Sequence, residues 1–136
     1  MIEHLTNSAS GVGKTTIQMA INSVWGHPKK TLMTENDTAM ARQQRAGLLQ
    51  HLPICFDEIT NMGGEAASSF SFDLSSGKGK NRMKSHSNEE RINNSTWCTI
   101  AQTSGNNSLY DVLQAHKSSV EGEMNRILQL AIQEDK

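Results

Sequence analysis

The chain has 136 residues, enough for one domain. Lys and Arg total 13 against 14 Asp and Glu, a formal net charge of −1. That excludes a protein basic overall, so any nucleic-acid contact must come from a local patch. Hydrophobic residues make up 35% and aromatics 4%, so the expected core is modest and built on Ile, Leu, Met, Val and Ala. The absence of a large net charge and the recurrence of apolar runs exclude full disorder. Cys55 and Cys98 sit in apolar runs without ligand-like spacing and read as small buried hydrophobes in a reducing compartment. No run is long and apolar enough to span a membrane, and Met1-Ile2-Glu3-His4 is not a signal-peptide start. A cytoplasmic chain, in the host bacterium if viral, is expected.

In chain order, Ile2 to Thr6 reads as the end of a strand. From Thr15 to Trp25, the residues Ile17, Ala20, Ile21 and Val24 fall on one helical face. Gly26 is placed to cap that helix and Pro28 prevents its continuation. Thr31 to Met33 is a short strand candidate. Thr34 with Asp37 resembles a helix start, the helix running to about Leu49. Pro53 opens the apolar triplet Ile54-Cys55-Phe56, which halts at Asp57-Glu58, as a buried parallel strand ending at a site would. Glu65 to Leu74 is helical, with Ala66, Ala67, Phe70 and Leu74 on one side. The polar stretch Ser75 to Ser95 follows. Thr96 to Gln102 then reads as a second buried strand, Ser108 to His116 as a helix and Arg126 to Ile132 as a last strand. Strands alternating with helices predict an α/β domain with a mostly parallel central sheet flanked by helices.

The sharpest motif is Ser8-Ala9-Ser10-Gly11-Val12-Gly13-Lys14-Thr15, a near match to G-x-x-x-x-G-K-[ST] with Ser8 in place of the first glycine. Small residues let successive backbone N–H groups surround phosphate oxygens, and the following helix turns its positive end to them. The segment Ser10, Gly11, Val12, Gly13, Lys14, Thr15 and Thr16 would therefore bind a nucleoside triphosphate, ATP. Lys14 would reach the β- and γ-phosphates and Thr15 would hold Mg²⁺. Asp57 would bind the metal through its water shell, and Glu58 would orient or deprotonate the attacking water. Thr103 and Asn106 follow the next buried strand and are candidates to sense the γ-phosphate, an ordinary polar turn being the alternative.

Residues Gly77 to His86 carry the cations Lys78, Lys80, Arg82 and Lys84 and no carboxylate. They read either as a solvated loop or as a contact to a nucleic-acid backbone. The absence of interleaved aromatics argues against base stacking. Arg126 is a lone cation at the final strand, either solvated or an arginine finger for a neighbouring subunit. The five histidines are scattered and show no metal-ligand spacing.

Several segments together resemble one family. Gly13-Lys14-Thr15-Thr16 with Ser23-Val24-Trp25-Gly26, the Asp57-Glu58 pair and Ser76-Gly77-Lys78-Gly79-Lys80-Asn81-Arg82 are similar to the helicase-like P-loop domain of phage and plasmid primase–helicase proteins. Trp97, the Thr103-Ser104-Gly105-Asn106 turn and Glu123-Met124-Asn125-Arg126 extend the likeness over residues 8 to 132. Asn106 stands where many relatives have Glu. The resemblance implies an additional-strand, AAA+-like P-loop ATPase similar to superfamily III replicative helicases. It implies an ATP-driven helicase or translocase on DNA, single-stranded by expectation, assembled as a homo-oligomeric and hexameric ring. It also implies that residues 1–136 are one core domain, a fragment or reduced version without the N-terminal primase and helicase parts. The rival expectation is an assembly or loader module that uses ATP as a switch and never translocates.

Overall fold

The computed structural model describes residues 1–83, 90–91 and 95–133, with side chains outside 82–94. Strands β1 (Ile2–Thr6), β2 (Met33–Thr34), β3 (Ile54–Asp57), β6 (Ala101–Gly105) and β7 (Ile127–Ala131) form one sheet in the order β2-β3-β6-β1-β7. Every pairing in it is parallel. A separate antiparallel pair, β4 (Arg82–Met83) with β5 (Glu90–Arg91), lies in the interval between β3 and β6. The helices are α1 (Lys14–Ser23), α2 (Ala39–Leu49), α3 (Gly64–Ser75), α4 (Leu109–His116) and the short α5 (Glu121–Met124). The chain is thus α/β with a parallel five-stranded sheet flanked by helices. No helix among the described residues is long and apolar enough to cross a membrane.

Side chains alternate between the faces of a strand, which fixes where the helices sit. Phe56 meets Phe70 of α3 edge to face, with centroids 5.1 Å apart. Its neighbour Cys55 turns the other way, its thiol 3.9 Å from the Gln18 carbonyl of α1. Helices α1 and α3 therefore cover opposite faces. The apolar core lies on the α3 side, where Ile2, Phe56, Phe70, Leu74, Trp97, Ala101 and Leu113 are all buried.

Helix α1 reverses the expected orientation. Ile17 and Val24 are 40% and 84% exposed, whereas Lys14, Gln18 and Asn22 are buried. The phase follows from Lys14: its ammonium turns back into the preceding loop, and residues four and eight further on must then face inward. Gln18 Nε2 donates to the Phe56 carbonyl at 2.9 Å and Asn22 Nδ2 to that of Pro28 at 3.3 Å. The helix stops at Ser23 rather than Trp25, and Gly26 does not take the left-handed cap conformation.

The second helix begins later than Thr34. The Asp37 carboxylate instead closes a turn by accepting the Thr34 N–H at 2.7 Å, and the Thr38 hydroxyl caps α2 by accepting the Ala41 N–H at 3.2 Å. The central strand β6 starts at Ala101, five residues beyond the expected Thr96. Trp97 instead packs on the end of α3, donating its indole N–H to the Leu74 carbonyl at 2.8 Å. Cys98 is exposed, contrary to the expected burial. Cys55 is buried, and burial raises its thiol pKa to about 11.

Candidate functional site

The parallel strands all end on one side, and the turns after β1, β3 and β6 meet there. Because β6 pairs with both β1 and β3, its last residues stand between the glycine loop and the Asp57-Glu58 pair. Ligand sites of open parallel sheets lie at this carboxyl end. A cleft of about 280 Å³ opens there, lined by residues 10–16, Glu58 and Asn106. All seven loop residues expected at a phosphate site line it.

The loop is held from both sides. Asn7 Oδ1 accepts the Ala9 N–H at 2.7 Å, and Asn7 Nδ2 donates to the Ile132 carbonyl at 2.6 Å. Gly11 and Gly13 take left-handed conformations, with φ of +82° and +89°. A Cβ at either would meet nothing within 4 Å, so backbone conformation rather than space calls for glycine. Gly13 precedes α1 without a side-chain cap, which leaves the helix's first N–H groups toward the cleft.

Lys14 is only 7% exposed. Its Nζ donates to the Asn7 carbonyl at 2.8 Å, the Ala9 carbonyl at 3.1 Å and Asn106 Oδ1 at 2.8 Å. All three acceptors are neutral, and no carboxylate pairs with Lys14 among the described residues.

Thr15 Oγ1 donates to Asp57 Oδ1 at 3.0 Å, and Ser104 Oγ donates to the same oxygen at 2.7 Å. The Thr15 and Ser104 hydroxyls are thus both drawn to one carboxylate oxygen at the end of β3. No group of three or more His, Cys, Asp or Glu able to hold a metal occurs among the described residues.

Glu58 is exposed at the cleft wall with φ +55°, a left-handed conformation for a non-glycine residue. Its N–H donates to Ser104 Oγ at 3.1 Å, and its Oε1 accepts from the Thr60 hydroxyl and, at 3.5 Å, from Asn106 Nδ2. Asn106 therefore stands between Lys14 and Glu58, touching both.

Thr103 does not reach the cleft. It is buried on the α3 face, its Oγ1 2.8 Å from His4 Nδ1 and 3.2 Å from the Glu3 carbonyl. Strand alternation gives the cleft side to the next residue, Ser104, which the sequence reading passed over. The expectation had placed the turn at Thr103, but the strand runs through Gly105. His4 Nε2 lies 3.0 Å from the Asn107 carbonyl, and burial holds the imidazole pKa below its usual 6.5. Thr60 and Asn7 were also missed, since a hydroxyl or amide in a turn carries no spacing signal.

Arg126 precedes β7, and its carbonyl accepts the Ile2 N–H at the start of β1. It therefore stands at the opposite end of the sheet from the cleft. Its guanidinium lies 4.7 Å over the Phe72 ring and donates to the Gly122 carbonyl. Within one chain it does not approach the cleft.

Of the basic segment, Lys80 is ion-paired with Asp73 of α3 at 2.8 Å, so its charge is partly met from outside the segment. Lys78 bridges by backbone to Thr96. Arg82 is described through its backbone only, at the β4–β5 pair, and Lys84 lies outside the described residues.

The fold and the cleft define an α/β domain with a glycine loop, a buried lysine and an acidic pair at the carboxyl end of a parallel sheet. The family model described as "Domain of unknown function (DUF927)" matches residues 2–95, more than half of the chain, and the chain belongs to that family. No curated protein matches it significantly. Among solved structures, the crystal structure of NtrX from Brucella abortus in complex with ADP is similar in fold, with a TM-score of 0.51 at 13% identity. The match covers 96% of this chain and 31% of that one, so this chain spans about a third of that protein's length. A likeness at this identity bears on the fold alone.

Proposed function

We propose that this domain is a P-loop ATPase of the additional-strand class that couples ATP hydrolysis to movement on DNA. The observation that carries the reading is Lys14: a buried cation whose partners among the described residues are all neutral, at a left-handed glycine loop and a helix N-terminus. A triphosphate supplies the missing charge. The position of β6 between β1 and β3 supports the additional-strand class, and the ADP named for the NtrX structure is consistent with it.

In this reading the N–H groups of residues 10–16 and Lys14 cradle the phosphates, and Thr15 and Asp57 hold Mg²⁺. The metal, when bound, neutralises charge on the phosphate oxygens. Glu58 orients the attacking water and accepts its proton, and Asn106, already touching Lys14 and Glu58, reports the γ-phosphate to both. Ser104 fixes Asp57 and the Glu58 backbone at once. Arg126, being remote from its own cleft, acts only across an interface between copies, as a ring would supply.

The basic segment that begins at Gly77 and leads into β4, between β3 and β6 in sequence, is assigned to DNA, with Lys78, Lys80, Arg82 and Lys84 as its cations. The second reading, an ATP-dependent assembly or loader module, is favoured by the Lys80–Asp73 pair, which withholds one of those charges. Phosphate release from ATP with and without single-stranded DNA separates them. Stimulation supports the motor; DNA-independent turnover, or ATP binding without turnover, supports the switch; a chain that binds no ATP refutes both.

A further inference from the structure

The turn after β3 holds Glu58 in a backbone region that non-glycine residues seldom occupy, and such conformations persist only where neighbours hold them. Ser104 Oγ holds the backbone by accepting the Glu58 N–H at 3.1 Å. The carboxylate is held separately. The Thr60 hydroxyl donates to Glu58 Oε1, while the same Thr60 oxygen accepts the Asn106 N–H at 2.8 Å. A donation inside the Asp57–Thr60 turn would by itself be a local feature of that turn. The second bond reaches across to the end of β6, so the Thr60 hydroxyl joins the two turns as well as the carboxylate. Its one proton and one of its acceptor sites are both engaged, so the rotor has one setting. Asn106 in turn accepts from Lys14 Nζ at 2.8 Å through its side chain, so a chain of hydrogen bonds links Lys14, Asn106, Thr60 and Glu58.

We infer that Thr60 is a positioning residue of the proposed ATPase: its hydroxyl aims the Glu58 carboxylate and ties that aim to the Asn106 backbone. The inference rests on Glu58 acting on the attacking water. No bond forms or breaks at Thr60, which acts through Glu58.

The test is steady-state hydrolysis of Mg-ATP by the wild-type chain, Thr60→Val and Thr60→Ser, with thermal melting of each. Valine keeps the shape and removes both hydrogen bonds, whereas serine keeps both. Thr60→Val is expected to lower kcat by about tenfold or more, with KM for ATP changed by less than about twofold. Thr60→Ser stays within about twofold of the wild type in both. Should the valine variant melt below the assay temperature, Thr60→Ala replaces it with the same expectation. Wild-type kcat in the hydroxyl-less variant, a loss confined to KM, or a serine variant as impaired as valine each overturns the inference while leaving the ATPase reading standing. A wild-type chain that releases no phosphate overturns that reading and Thr60's role with it.

Discussion

The Thr15 hydroxyl donates to the Asp57 carboxylate at 3.0 Å, joining the first turn of α1 to the end of β3. The two residues expected to share a metal thus already share a hydrogen bond. Their closeness depends on β6, whose Ser104 reaches Asp57 from the neighbouring strand at 2.7 Å. Asp57→Asn keeps the size of the side chain and weakens it as a metal ligand. The Mg²⁺ concentration giving half-maximal ATP turnover should rise by about tenfold to hundredfold. Metal-free nucleotide binding should change little. An unchanged Mg²⁺ requirement would remove Asp57 from the metal site.

Lys14 gives a prediction of opposite signs for stability and binding. Replacing a buried charge that lacks a charged partner by an apolar side chain of similar length removes a desolvation penalty. Lys14→Met should therefore melt no lower than the wild type in the absence of nucleotide. The rise in melting temperature that ATP confers on the wild type by binding the folded state should vanish in the variant. A variant that unfolds without nucleotide would mean that Lys14 is a structural brace for the loop.

At Glu58, two substitutions separate conformation from chemistry. Glu58→Gln should bind ATP as the wild type does and lose turnover, since the carboxylate acts in the transition state. Glu58→Gly relieves the φ +55° conformation and should be neutral or stabilising by up to about 1 kcal/mol, again without turnover. Wild-type hydrolysis by Glu58→Gln would show that the water is activated elsewhere.

Two buried groups set the acid-side pH dependence of stability among the described residues, and both act in one direction. Burial first, with the charge of Lys14 a smaller cause, holds the His4 imidazole below 6.5. The unfolded chain then takes up that proton first, so the contribution is whole above pH 6.5 and is lost as the pH falls below it. Glu123 is 2% exposed, and hydrogen bonds from Lys117 and then Ser68 hold its carboxyl below 4.5. Its contribution is present above pH 4.5 and is lost as the pH falls through the folded value. The denaturant midpoint should begin to fall near pH 6.5 and fall more steeply below pH 4.5. His4→Gln should remove only the upper limb. A midpoint that rises between pH 7 and pH 6 contradicts the assignment.

Replacing Lys78, Lys80, Arg82 and Lys84 together by Ala should weaken single-stranded DNA binding and flatten its salt slope by about two to three units, less than the four cations alone would give, because Lys80 pairs with Asp73. Basal ATP turnover should survive and its stimulation by DNA disappear. Unchanged affinity and slope would favour the switch reading.

The glycine loop and the acidic pair were legible in the sequence because their chemistry depends on local spacing: residues 10–16 are contiguous, and Asp57-Glu58 ends an apolar triplet. Helix α1 was misread because its most regular apolar stripe, Ile17 to Val24, is the exposed one. The inward face was set by Lys14, a requirement of the site rather than of hydropathy. Strand β6 was displaced for a related reason. Gln102, Thr103 and Ser104 are polar yet buried, each satisfied by a partner distant in sequence, so the strand carries no apolar pattern. The choice of Thr103 over Ser104 turned on strand parity, which only the register Phe56 to Thr103 reveals.

The most direct measurement is a titration of Glu58→Gln with Mg-ATP, followed through the backbone amide signals. The largest shifts should fall on residues 10–16 and on Asn106, with saturation at micromolar to low-millimolar ATP, and Lys14→Met introduced into the same protein should abolish them. Saturable shifts elsewhere, or none at several millimolar ATP, would contradict a triphosphate as the missing counter-charge of Lys14.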